Sequence, residues 1–126
     1  MTDARPAILY VEDTQDMRFL VEYNLQQEGF AVTAVPTAEA GLAQAREGSY
    51  ALILLDIGLT DMDGLELCRE IREFNTQTPI LFFTAYESLL DHQEAIRAGA
   101  QGCLRKPEDT TRLAPAIRTL IEQSQG

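Results

Sequence analysis

Glu12, Asp13, Asp56, Thr84 and Lys106 each stand at the end of a short apolar run or directly after one. If those runs are strands of one sheet, the five polar side chains are brought to a single edge. Three carboxylates crowded together repel one another, so an ionised cluster calls for a cation to hold it. The set offers oxygen ligands with no nearby His or Cys, which favours Mg²⁺ over zinc. Mg²⁺ takes one or two carboxylates, several waters and a phosphate oxygen. Lys106 is the only lysine in the chain, against nine arginines. Its compact ammonium suits a point contact to a carboxylate or a phosphoryl oxygen. Thr84 supplies a hydroxyl that can donate to a phosphoryl oxygen, and the small Ala85 beside it leaves access. Together these parts describe phosphoryl transfer to Asp56.

The elements that must position them follow from periodicity. Apolar runs at 7–11, 31–35, 51–55, 79–83 and 102–105 read as strands. Residues 52–55 and 80–83 are continuously apolar, as central parallel strands covered on both faces require. Between the runs the spacing turns helical, with Met17, Leu20, Val21 and Leu25 on one stripe and Leu113, Ile117, Leu120 and Ile121 on another. Thr37 is placed to cap a helix beginning at Ala38, and Gly29, Gly48 and Gly99 fall where helices should end. Pro115 removes a backbone donor early in the last helix, which predicts a late start or a kink. Strand and helix alternate five times, implying right-handed crossovers and one open parallel sheet between two helical layers. In that architecture chemistry collects at the carboxyl ends of the strands.

The 126 residues suffice for one domain with a single sizeable core. A formal charge of -10 is the wrong sign for a phosphate-backbone footprint, so no nucleic-acid binding by this chain is expected. No apolar stretch approaches the ~20 residues that span a bilayer, and the run at 7–11 is shorter than the ~7 residues of a signal-peptide core. No membrane partner and a cytoplasmic location are therefore expected. Cys68 and Cys103 offer no disulfide framework and read as small buried hydrophobes.

The segments VED at 11–13, LLDIGLTDMDG at 54–64, TA at 84–85 and KP at 106–107 resemble the receiver domains of two-component response regulators. The intervals of 43, 28 and 22 residues separating Asp13, Asp56, Thr84 and Lys106 fit the same family. Any one motif is common, but four in this order at successive strand ends form a joint signal covering roughly Ile8 to Ile121. The resemblance implies a flavodoxin-like (βα)5 three-layer α/β sandwich, with a five-stranded parallel sheet of order 2-1-3-4-5. It further implies that Asp56 is the phosphoacceptor, taking a phosphoryl group from a sensor histidine kinase or a phosphotransfer protein in a Mg²⁺-dependent reaction. Asp13 and Asp56 would bind the metal directly, Glu12 through water, and Gly58 through its backbone carbonyl. Mg²⁺ and Lys106 would then bring three positive charges to three negative ones. On this reading the chain is not an enzyme but a phosphoprotein that assists its own phosphorylation and dephosphorylation.

Three positions depart from the family pattern. Cys103 stands three before Lys106, where the family usually carries the Tyr or Phe that changes rotamer with Thr84. A thiol has no comparable lever. Thr60 replaces a frequent Pro in the loop after the acceptor, leaving that loop less constrained. Tyr86 occupies a position that tunes phosphoryl lifetime in the family, and its ring is expected to lie over the site.

Taken singly, each of these residues has a bland reading. The chain has 20 acidic residues, so any one is first a solvated surface group, and KP is first a turn. His92, with Asp91 and Glu94 nearby, reads as solvent-exposed, and Leu89, Leu90 and Ile96 read as core. Asp61-Met-Asp-Gly-Leu65 superficially matches the DxDG start of haloacid-dehalogenase-type phosphatases, but it lies five residues beyond the strand end instead of directly after it. The remaining alternatives are a receiver-like interaction module that works without phosphorylation and a receiver excised from a longer hybrid kinase. The expectation is one receiver domain over 1–126, with a core at about 7–122 and no effector domain, similar to the single-domain chemotaxis regulators. Met1 and an end at Gly126 favour a stand-alone regulator. Its output would be contact with a downstream protein target or with a second copy as a homodimer.

Overall fold

The computed structural model describes residues 5–85 and 92–125. The order is β1 (Ala7–Val11), α1 (Gln15–Gln27), β2 (Ala31–Val35), α2 (Ala38–Glu47), β3 (Leu52–Leu55), α3 (Gly64–Arg72), β4 (Ile80–Thr84), α4 (His92–Ala98), β5 (Gly102–Arg105) and α5 (Leu113–Gln125). All strand pairs are parallel, and the sheet order is β2-β1-β3-β4-β5. This is the order that the resemblance implied. No helix among the described residues is long and apolar enough to cross a membrane.

Strand alternation divides the core into two layers. Leu9, Val11, Ile53, Leu55, Ile80 and Phe82 face α2, α3 and α4. Ile8, Tyr10, Leu52, Leu54, Leu81 and Phe83 face α1 and α5. Every residue of β3 and β4 is buried, which explains why their apolar runs are unbroken. The close seating of α2 depends on Gly41, where a Cβ would fall 2.6 Å from Val11 Cγ2.

Helix boundaries follow local chemistry. The Thr37 side chain accepts a hydrogen bond from Ala40 N at 3.1 Å, capping α2. Gly29 and Gly99 have φ of +96° and +112°, the left-handed region that glycine enters without a Cβ penalty. A single 3₁₀ turn over Thr110–Arg112 precedes α5, so Pro115 lies in the first turn of a helix that starts late.

Several expectations are corrected. β3 begins at Leu52, and β4 begins after Pro79 and runs on through Thr84. Leu20 is 49% exposed, because α1 turns Val21 and Leu25 inward and leaves Leu20 beside them at the surface. Ile96 is 59% exposed, since α4 meets the core through Ala95 and Ala98. Cys68 is fully buried, whereas Cys103, on the edge strand β5, is only half-buried. Leu89 and Leu90 lie outside the described residues.

Candidate functional site

Sheet register places the polar residues side by side. Val11 pairs with Leu55 across β1 and β3, so Glu12 and Asp56 leave adjacent strands at the same level. Glu12 N donates to Val35 O at 3.1 Å and Asp56 N to Val11 O at 3.2 Å, extending the ladder by one step on each strand. Thr84 pairs with Arg105, and Lys106 N donates to Thr84 O at 2.9 Å. Oxygens of Glu12, Asp13 and Asp56 come within 4.8 Å of one another, close enough to hold a metal ion together.

Lys106 closes the cluster. Its Nζ donates to Glu12 Oε1 and, at 3.1 Å, to Asp56 Oδ2. Among the described residues, the buried polar or charged ones are Glu12, Asp56, Thr84 and Lys106, at 1%, 7%, 1% and 8% exposure. Burying charge costs free energy unless it is paired and hydrogen-bonded. The charged groups of the interior are therefore concentrated at one strand edge, each answered by another. Glu12 also accepts from Thr14 N at 3.0 Å through Oε2 and from Tyr10 Oη at 3.2 Å through Oε1. Lys106 Nζ lies 5.9 Å from the centroid of the Phe83 ring, at the outer limit of a cation–π contact. Asp13 is half-buried and gives the cluster a side open to solvent.

The loop after β3 is folded tightly against Asp56. Gly58 N donates to Asp56 Oδ1 at 3.4 Å, and Gly58 forms an isolated antiparallel bridge with Asp63. Asp63 caps α3 by accepting from Leu65 N at 2.7 Å. Gly64 opens that helix directly against the Asp56 backbone. A Cβ there would collide with the Asp56 carbonyl oxygen and lie 2.7 Å from Ile57 Cα.

The remaining expected positions are distributed as follows. Thr84 is the last residue of β4 and Ala85 beside it is exposed. Cys103 packs against the α2–α3–α4 side of the core, in register with Phe82. Burial raises its thiol pKa, partly offset by Arg105. Thr60 is exposed in the loop. Tyr86 lies outside the described residues, so its placement over the site stays an expectation.

Three contributors escape the sequence reading. Tyr10 was one apolar letter in a strand, yet its hydroxyl reaches the cluster, and burial followed by the charge of Glu12 holds the phenol far above its ordinary range. Arg18 Nη1 donates to Glu12 O at 2.9 Å from one turn into α1. Asp61, which entered only as part of a rival motif, accepts from Ala38 N at 2.9 Å and Glu39 N at 3.0 Å. These two bonds hold its carboxyl below the usual carboxylate range. Asp61 is thus the bracket between the loop after β3 and the start of α2. That leaves no strand-end placement for a phosphatase-type DxDG nucleophile.

The family model described as Response regulator receiver domain matches residues 8–118. Among curated proteins, the chain is 35% identical over 117 residues to the uncharacterized transcriptional regulatory protein YkoG of Bacillus subtilis, covering 93% of this chain and 51% of that protein. It is 36% identical over 116 residues to the response regulator ArlR of Staphylococcus saprophyticus, covering 92% and 52%. The chain thus spans about half the length of the curated relatives it matches. A CheY-like receiver domain protein from Methanospirillum hungatei superposes with a TM-score of 0.90 at 28% identity, covering 97% of this chain and 98% of that one. The receiver domain of sensor histidine kinase PA1611 from Pseudomonas aeruginosa, solved with a magnesium ion coordinated in its active-site cleft, superposes at 0.86 and 30% identity, covering 94% and 99%.

Proposed function

The chain belongs to the response regulator receiver domain family, and on that footing we propose that Asp56 is its phosphoacceptor and that the described cluster is the phosphorylation site. The observation that carries this reading is Lys106 Nζ set between Asp56 Oδ2 and Glu12 Oε1, with the Asp13 carboxylate alongside. An all-oxygen donor set with one open side fits Mg²⁺ better than a softer metal. Asp13 and Asp56 would hold it directly, Glu12 through water and Gly58 through its carbonyl. When bound, Mg²⁺ supplies positive charge against the oxygens of the incoming phosphoryl group.

The chain's own residues do the rest by position. A carboxylate oxygen of Asp56 attacks phosphorus, the new P–O bond forms as the P–N bond of a donor phosphohistidine breaks, and the electron pair leaves with the imidazole nitrogen. Phosphoryl transfer of this kind needs chiefly alignment and charge stabilisation. Lys106 is already within bonding distance of Asp56, ready to answer charge that develops on a phosphoryl oxygen. Thr84 contributes a hydroxyl from the neighbouring strand end, and Ala85 leaves the approach open. Thr84 and Cys103 occupy the switch positions, so the conformational response cannot use a ring at residue 103. The domain signals by protein contact, with a histidine kinase or phosphotransfer protein as donor.

Intact-mass analysis after incubation with acetyl phosphate, with and without Mg²⁺, tests the reading. One phosphoryl adduct is expected only with Mg²⁺, and none in Asp56→Asn. Specific labelling retained by Asp56→Asn would remove the assignment, and labelling of neither protein would favour a phosphorylation-independent module.

A further inference from the structure

We propose that Tyr10 is a positioning residue for the acceptor site: its hydroxyl holds Glu12 Oε1 from beneath and so sets how Lys106 is divided between Glu12 and Asp56. The consequence for phosphorylation rests on the reading of Asp56 as acceptor. The consequence for Lys106 does not.

Tyr10 lies on β1 in the layer covered by α1 and α5, and Glu12 follows two residues later, just past the strand end, where its Oε1 accepts from the Tyr10 hydroxyl. The other buried strand residues in that layer are Ile8, Leu52, Leu54, Leu81 and Phe83, all hydrocarbon. Tyr10 places a hydroxyl among them while itself 0% exposed. A buried O–H without an acceptor is costly, and the acceptor it has is Glu12 Oε1 at 3.2 Å.

The same oxygen also accepts from Lys106 Nζ, so two donors share one carboxylate oxygen. Thr14 N occupies Oε2 at 3.0 Å, which fixes the rotation of the carboxylate. Glu12 thus cannot turn to separate its two Oε1 donors. By drawing off part of the charge on Oε1, the phenol weakens the hold of Glu12 on Lys106 and leaves the ammonium able to serve Asp56 at 3.1 Å. Without the hydroxyl, Lys106 is the single side-chain donor to Oε1 among the described residues and is drawn inward, away from the acceptor. Phe83 lies below the ammonium at 5.9 Å but offers it only a ring face, so it cannot take the place of the hydroxyl.

Lys106 is the only lysine, so isotope-labelled lysine gives one side-chain signal to follow. In Tyr10→Phe, which keeps the ring, the Lys106 signal is expected to move, and labelling by acetyl phosphate at saturating Mg²⁺ to slow about twofold, the low end of a net hydrogen-bond contribution and less than in Lys106→Ala. Tyr23→Phe, at a half-exposed position on α1, is the matched control and should change neither. In a Glu12→Ala background, adding Tyr10→Phe should have no further effect on the signal. A Tyr10→Phe signal that moves no more than the Tyr23→Phe signal overturns the proposal, as does an equal effect in the Glu12→Ala background. If the wild-type protein takes no label while the Lys106 signal still answers to Tyr10→Phe through Glu12, the acceptor reading fails and the Tyr10 assignment stands.

Discussion

Lys106 Nζ and Asp56 Oδ2 lie 3.1 Å apart across 50 residues of sequence, both in groups almost wholly withdrawn from water. The ammonium also meets Glu12, so one cation answers two buried carboxylates. Removing one partner of a buried pair typically costs about 3–5 kcal/mol, because the remaining charge is left uncompensated. Lys106→Ala is therefore expected to lower stability by about 3 kcal/mol in urea unfolding, with part of the loss recovered on adding Mg²⁺. Much of the acceptor chemistry should survive in that variant while the response to phosphorylation is lost. An unaltered urea midpoint would contradict the pairing.

The carboxylate of Asp61 stands in for the missing acceptors at the start of α2, through Ala38 N and Glu39 N. Asp61→Ala should cost about 1 kcal/mol, the usual loss of an N-terminal cap. The pH dependence has a definite sign. Its folded pKa lies below the ordinary 3.8, so its contribution is present above that value and fades as the pH falls through the folded one. The difference between wild type and Asp61→Asn should accordingly shrink in acid, as urea titrations from pH 7 down to about pH 3 would reveal.

Gly64→Ala should be far worse than an ordinary glycine-to-alanine change inside a helix, which is usually favourable. The added methyl group meets the Asp56 carbonyl oxygen and Ile57 Cα, both backbone atoms that cannot swing aside. A loss of about 3 kcal/mol is expected, at the upper end of overpacking penalties, together with slowed labelling of Asp56. Thermal unfolding and acetyl phosphate labelling of the same sample would measure the two effects.

The two thiols should separate in reactivity. Burial pushes Cys68 up to about 11 against the partial opposition of Arg72 and Arg69, and its Sγ lies 3.3 Å from Ala98 O. Cys103 is half-buried on the edge strand. At pH 8 a disulfide reagent should therefore modify Cys103 in the native protein and reach Cys68 only on unfolding. Two equivalents reacting at one rate would contradict these environments.

Much of this arrangement is legible in the chain because strand ends announce themselves. The unbroken runs at β3 and β4 mark buried central strands, and Asp56 and Thr84 fall where those runs stop. Glu12 and Lys106 are read in the same way. What is not legible depends on contacts between distant segments. Asp61 caps a helix 23 residues earlier in the chain, and no local spacing rule ties those positions. Tyr10 reads as one more apolar strand residue until the fold shows its hydroxyl meeting Glu12. A faint signal is present, since a phenol in β1 stands two residues before a carboxylate just past the strand end. Gly64 was more accessible, because glycine at the first position of a helix suggests a close backbone approach. Leu20 and Ile96 fit a helical stripe by spacing, yet narrow helix contacts leave them outside.

The contact between Glu12 and Lys106 joins residues 94 apart in sequence. The ammonium therefore joins the three carboxylates at the ends of β1 and β3 only when β5 lies beside β4 and completes the row of strand ends.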